Sequence, residues 1–266
     1  MSETSLAMPQ RFGTEGALLR AVAVMWRRQM LRFLRSRSRV IGSLAQPLFF
    51  LLAFGYGFSA VFEAAGQGSY IQFLAPGIIG MSIIFSSIFT GMEVIWDRQF
   101  GFLKETLVAP VPRSAIMIGR TLGGATVSVA QGLLVFLATL AIGFRPENWA
   151  LVPVAIVVMA LISIMFTAFG TAVATRLKDM QGFQLIMNFL VMPLFFLSGA
   201  LFPLQGLPTA MQWIIHANPL AYGVDALRDL LIGASYYGLV LDFAVLIVLS
   251  TALLAAGALL FRRIEA

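Results

Sequence analysis

Uncharged apolar runs long enough to cross a bilayer recur along the chain, set apart by short charged or Gly/Pro-bearing stretches, and this alternation predicts membrane helices. The runs cover 40–62, 71–92, 121–144, 149–175, 183–202 and 243–261. Each has about 20 residues, the length that crosses a hydrocarbon core of ~30 Å. Only Arg145, Pro146 and Glu147 punctuate the gap between the third and fourth runs, which predicts a tight turn between antiparallel helices. The stretch after the fifth run is apolar but broken by Gly206, Pro208, Pro219, Gly223 and Gly233. It reads as short helices re-entering the outer leaflet at 203–238, because non-helical backbone at that depth needs protein or water to satisfy it. The expected fold is therefore all-α and polytopic, with six transmembrane helices over 40–266 preceded by a cytoplasmic segment over 1–39.

That first segment carries an amphipathic pattern. At 100° per residue Leu19, Val22, Trp26, Met30 and Phe33 fall within about 80° of arc, and Arg28, Arg32, Arg35 and Arg39 within about 60° on nearly the opposite side. Such a helix is expected to lie along the inner membrane surface with Trp26 toward the apolar side and its arginines toward lipid phosphates and cytosol. The arginines either fix topology and bind anionic lipid or dock a partner. The polar start, 1–13, reads as disordered. The first apolar run begins at Val40 and is far longer than a secretory h-region, so it is expected to be retained.

Charge orients the array. Of 18 Lys and Arg residues, 16 fall on one side of the six runs and only Arg145 and Arg228 on the other, which places both termini in the cytoplasm. With 59% hydrophobic and 11% charged residues, the chain lacks the polar groups to cover a water-facing surface, so a soluble enzyme is excluded. A formal charge of +6 would suggest nucleic acid in a soluble protein. Here it serves topology and membrane lipid, and no nucleic-acid partner is expected.

Candidate chemistry is sparse. The chain has no cysteine, which rules out disulfides, Cys-ligated zinc and iron–sulfur clusters, and it has a single histidine, His216, read as an interfacial residue beside Trp213. It has neither a GxxxxGK[ST] phosphate loop nor a GxSxG elbow. No catalytic, cofactor or metal residue is expected. The runs hold no ionisable group, which disfavours a proton-driven carrier. Glu93 closes the second run beside Trp96, Asp97 and Arg98, where it reaches interfacial water or pairs with Arg98. Neutral polar residues within the runs, among them Gln46, Ser82, Ser86, Thr90 and Gln131, either bond between helices or line a path. Pro47, Pro76, Pro153 and Pro193 can kink the helices that contain or adjoin them.

The segment 97–120 reads DRQFGFLKETLVAPVPRSAIMIGR. It predicts a short helix over 99–108, with Phe102, Leu103, Leu107 and Val108 as apolar contacts and Lys104 and Glu105 as polar ones. Pro110 and Pro112 stop it, and Ser114 can cap the next helix. The product is a rigid elbow between two spans, which another protein could push.

This phrase resembles the cytoplasmic elbow of ABC-2 type transporter permeases, E-L-L-x-x-P-x-x-R/S, at Glu105, Thr106, Leu107, Pro110 and Arg113, with Thr106 where leucine is more usual. FLAPGIIGMSIIF at 73–85 is similar to the opening of that family's second span. The stretch 196–233 resembles its fifth span, outer re-entrant helices and N-P-x-x-Y signature at Asn218, Pro219 and Tyr222. The resemblance implies a six-helix half-transporter paired with a second permease copy, most simply a homodimer, and with cytosolic ATPase subunits that hold the ATP and magnesium. It makes the elbow the coupling helix and implies a bacterial inner-membrane exporter of drugs, antibiotics, lipids or lipid-linked glycans. In the outer segment Asp225 and Arg228, three apart, are expected to form an exposed pair on one helix face. The alternatives are a proton-coupled carrier and, from another class, a membrane enzyme modifying lipid.

Overall fold

The structure is a computed structural model that describes residues 14–66, 68–108, 111–177, 179–204 and 206–261. The polar start and the side chains of Arg37, Ser38, Arg39, Glu105 and Leu107 lie outside that description, as does Pro110. Eleven α-helices follow one another among the described residues: α1 (Thr14–Arg35), α2 (Arg37–Gly57), α3 (Ser59–Ala64), α4 (Tyr70–Gln99), α5 (Phe102–Val108), α6 (Arg113–Ile142), α7 (Val152–Arg176), α8 (Met180–Phe196), α9 (Thr209–His216), α10 (Pro219–Ile232) and α11 (Leu239–Phe261). A 3₁₀ turn, Trp149–Leu151, leads into α7.

Five stretches are long and apolar enough to span a membrane: Val40–Gly57, Tyr70–Gln99, Arg113–Ile142, Trp149–Arg176 and Leu239–Phe261. The sixth apolar helix, α8, has 17 residues. It stops at Phe196 rather than Phe202 because Gly199, at φ 75°, turns the chain. At 1.5 Å per residue it is about 25 Å long, a little short of the hydrocarbon core. The chain is an all-α polytopic membrane protein.

Other boundaries move for local reasons. The first span ends at Gly57, not Phe62, and the remainder forms α3 before the positive-φ glycines Gly66 and Gly68. The second runs past Met92 to Gln99, so that Glu93 and Asp97 belong to the helix. Gly101, at φ 82°, then breaks the elbow away from α4, so the short helix starts at Phe102 instead of residue 99. Ser114 does not cap α6; Pro112 occupies that position, without a side-chain bond.

Helix α4 is the central pillar, packed by α2, α6, α7, α8 and α10. Close approach depends on missing side chains: a Cβ on Gly91 would overlap the Gly170 backbone of α7, and one on Gly124 of α6 would overlap Thr90. Gly119 and Gly123 of α6 form a small-xxx-small step that admits α1, where an added Cβ would fall 2.8 Å from Met25 or Gln29 atoms. Gly55 packs on Ile71 within the chain, whereas nothing lies within 4 Å of a Cβ on Gly57.

Candidate functional site

A cavity of about 700 Å³ opens among α1, α2, α4 and α6, within the 300–1,000 Å³ typical of small-molecule sites. Its wall is apolar where Phe33, Met81, Phe85 and Phe89 face it. Neutral donors and acceptors interrupt that wall: Gln46, Ser82, Ser86, Thr90 and Gln131. Some are held in place, with Gln131 Nε2 donating to Ser43 O at 3.2 Å and Ser128 Oγ donating to Ser86 Oγ at 3.1 Å. Ser87 turns away from the cavity and is buried without a partner for its hydroxyl.

Charge is confined to the arginine-rich end of this cavity. Arg28 and Arg32 sit one turn apart on α1, and Glu93 and Asp97 one turn apart on α4, so the pairs face each other in register. Arg32 donates to Glu93 Oε2 at 3.1 Å and lies 3.5 Å from Asp97 Oδ1, and Arg28 lies 3.6 Å from the same oxygen. From α6, Arg120 donates to Asp97 Oδ2 at 2.8 Å. Arg120 and Asp97 are both buried, while Arg28 and Arg32 keep about a third of their side-chain surface exposed. The two α1 arginines thus turn toward acids within the protein, not toward lipid phosphates as the helical wheel suggested. Arg98 donates to Leu177 O at 2.8 Å and Thr175 O at 3.2 Å, tying α4 to the end of α7. On the other flank of α1, Trp26 Nε1 donates to Thr126 Oγ1 at 3.0 Å, and Arg35 is exposed.

The elbow adjoins the charged rim. Leu103 and Thr106 are buried under it, and Thr106 Oγ1 donates to Phe102 O at 2.9 Å. Outward face Lys104, Val108, Pro112 and Arg113, with Val108 84% exposed. Phe102 is half exposed and lines the cavity, together with Trp96 and Phe100. Glu105 and Leu107 occupy α5.

At the opposite end, the Asn-Pro-x-x-Tyr signature acts as a clamp. Asn218 Oδ1 accepts from Leu220 N at 3.0 Å, capping α10, while its Nδ2 donates to Leu194 O of α8 at 2.7 Å. Pro219 fills the first helical position, where a missing N–H costs nothing. Tyr222 donates its hydroxyl to His216 O at 2.8 Å. His216 is exposed, its Nδ1 2.6 Å from Gln212 O and its ring edge-on to Tyr237, 5.2 Å between centroids.

The expectation of an exposed Asp225–Arg228 pair fails. Both are buried and they face different partners. Asp225 accepts from Tyr236 N at 2.9 Å and Tyr237 N at 2.8 Å, closing the α10–α11 turn. Arg228 donates to Gly199 O at 2.8 Å and lies 4.0 Å over the Phe73 ring. Burial lowers its pKa to about 10, opposed by the nearby Asp225, so it stays charged at neutral pH.

Among the described residues no cluster of His, Cys, Asp or Glu could hold a metal ion. The sequence pattern missed the Asp97–Arg120 contact, since Arg120 reads as one more topology charge. The matching four-residue spacing of Arg28/Arg32 and Glu93/Asp97 is the signal that could have found the rest.

Comparison with known proteins fits this architecture. The sequence profile of the ABC-2 type transporter family matches residues 20–232, and the chain belongs to that family. It is 27% identical over 244 residues to Nodulation protein J of Rhizobium leguminosarum bv. viciae, covering 90% of this chain and 93% of that one. With the inner membrane transport permease YadH of Escherichia coli K12 it shares 29% over 236 residues, 86% and 89% of the two chains. With the putative transport permease ycf38 of Cyanophora paradoxa it shares 30% over 210 residues, 78% and 72%. The chain is a membrane transporter subunit.

Proposed function

We propose that the chain is the permease half of an ATP-driven exporter in a bacterial inner membrane, with both termini in the cytoplasm and ATP and magnesium held by a separate ATPase. The observation that carries the reading is the junction of elbow and cavity: Phe102 belongs to α5 and also lines the cavity wall. A push on α5 therefore reaches a wall of the path without an intervening linker. Cargo of mixed character, a lipid, drug or lipid-linked glycan, suits a wall in which Phe85 and Phe89 alternate with Ser82, Ser86 and Thr90. Among the permeases it resembles, one is named as a nodulation protein and two as transport permeases, and none of these names fixes the cargo here. A second permease copy would close the path on the side where α8 exposes Leu185, Ile186 and Phe189.

One observation favours a proton-coupled carrier instead. Asp242, in the first turn of α11, is fully buried and neither carboxylate oxygen has a hydrogen-bond partner. Efflux of a fluorescent amphiphile from cells producing the chain and its ATPase separates the two readings. The exporter reading expects efflux to stop on ATP depletion and to survive a protonophore at constant ATP; the opposite pattern would replace it with the carrier.

A further inference from the structure

We infer that Arg28 and Arg32 form a recognition site for the anionic head of a single- or multi-chain amphiphile whose apolar tail occupies the cavity behind them. The inference rests on the transport reading for its biological use, but its geometry stands apart from ATP.

Three guanidinium groups, Arg28, Arg32 and Arg120, meet two carboxylates, Glu93 and Asp97. Among these five groups the arginines outnumber the carboxylates by one, at the edge of an apolar cavity where low dielectric strengthens their field. The five groups are not equivalent. Arg120 takes Asp97 Oδ2 at hydrogen-bonding distance and does not line the cavity, so it acts as an inner strut. Asp97 Oδ1 is shared between Arg28 and Arg32 at 3.6 and 3.5 Å, looser than the 2.8 Å strut. These two arginines are the part-exposed members and both line the cavity. Their four-residue spacing sets them about 6 Å apart at Cβ, close enough to converge on one phosphate-sized head through forked N–H donors.

Behind them Phe33, Phe85, Phe89 and Met81 offer an apolar surface for a tail. Within this arrangement Glu93 and Asp97 act as internal competitors that hold the arginines until an external anion replaces them. Exchange frees Arg28 and Arg32 from the α4 acids, while the Arg120 strut keeps α4 on α6 and the Gly119/Gly123 packing keeps α1 on α6, so an occupied head site changes the α1–α4 ion pairs alone.

The test uses the full chain in nanodiscs of zwitterionic lipid and two single-chain amphiphiles with the same acyl chain, one ending in a phosphate monoester and one in phosphocholine. The readout is the ratio of their dissociation constants. We expect the phosphate monoester to bind at least about tenfold tighter, and the ratio to collapse toward unity in the Arg28→Gln/Arg32→Gln double variant. Arg28→Lys/Arg32→Lys should keep a reduced preference, which separates loss of charge from loss of fold. Glu93→Gln, by removing a competitor, should raise the ratio. A wild-type ratio near one, or a preference unmoved in the double glutamine variant, overturns the site. Competition by inorganic phosphate at concentrations equal to the amphiphile's would show a free-anion site and overturn the amphiphile assignment. Charge-selective binding without ATP-driven efflux would sink the exporter reading and leave this site standing. Efflux without charge-selective binding would do the reverse.

Discussion

Asp97 of α4 and Arg120 of α6 meet at 2.8 Å with both side chains buried, and this contact locks two long helices together at the arginine-rich end of the molecule. It is also the fixed point from which the looser Arg28 and Arg32 contacts extend toward α1.

Removing Asp97 takes from the buried Arg120 the carboxylate that it donates to at 2.8 Å. Asp97→Ala is expected to cost about 3–5 kcal/mol and to lower the melting temperature of the detergent-purified protein sharply. Arg120→Met combined with Asp97→Leu should recover much of the loss, because the desolvation penalty disappears with the charges. A double variant no more stable than Asp97→Ala would show that the pair contributes more than mutual neutralisation.

The α4–α7 crossing depends on Gly91 meeting Gly170. Gly91→Val forces the backbones apart and should destabilise the protein by about 1–3 kcal/mol, read as a fall in melting temperature and in monodisperse yield. Gly57→Ala, where an added Cβ meets nothing within 4 Å, is the control and should leave both readouts near wild type.

Asn218 serves two helices at once, and Asn218→Ala should cost about 0.5–2 kcal/mol for the α10 cap alone, with a further loss at Leu194 O. Limited proteolysis should report this as faster cleavage in the α8–α10 region. Asn218→Asp keeps the cap acceptor but loses the donor to Leu194 O, so an intermediate rate is expected; equal rates for both variants would remove the cap from the explanation.

Because the chain has no cysteine, topology can be read by introducing one at a time. Cysteine at Asn148 should react with an impermeant reagent added to intact cells, and cysteine at Gln99 or Asp179 should react only after permeabilisation. Labelling at Gln99 in intact cells would invert the orientation and move the elbow away from any cytosolic ATPase.

The helices were legible because 20-residue apolar runs have few other uses, and Asn218, Pro219 and Tyr222 stood out as a signature, but the capping of α10 by Asn218 emerged only from the fold. Boundaries were less legible where the decisive residue was a glycine: φ at Gly101 and Gly199 ends an element that hydropathy alone would continue. Burial of Asp225 and Arg228 was invisible for another reason. A three-residue spacing looks the same whether the partners are each other or, as here, the backbone of residues 236–237 and 199. The Asp97–Arg120 contact escaped similarly, since no spacing pattern links the two residues and only the fold brings them together.

The central claim is that α5 couples a separate ATPase to this permease, and its most direct test is recovery of that ATPase with the tagged chain. Wild type should retain the ATP-binding subunit through purification. Val108→Asp and Lys104→Glu alter the outward surface of α5 without touching its buried Leu103 and Thr106, so membrane levels should stay normal. Co-purified ATPase per unit of permease should then fall about tenfold or more in the double variant, as expected when charge is reversed and a desolvated apolar contact is lost across an interface. Undiminished ATPase recovery in that variant, at equal permease, would contradict the account.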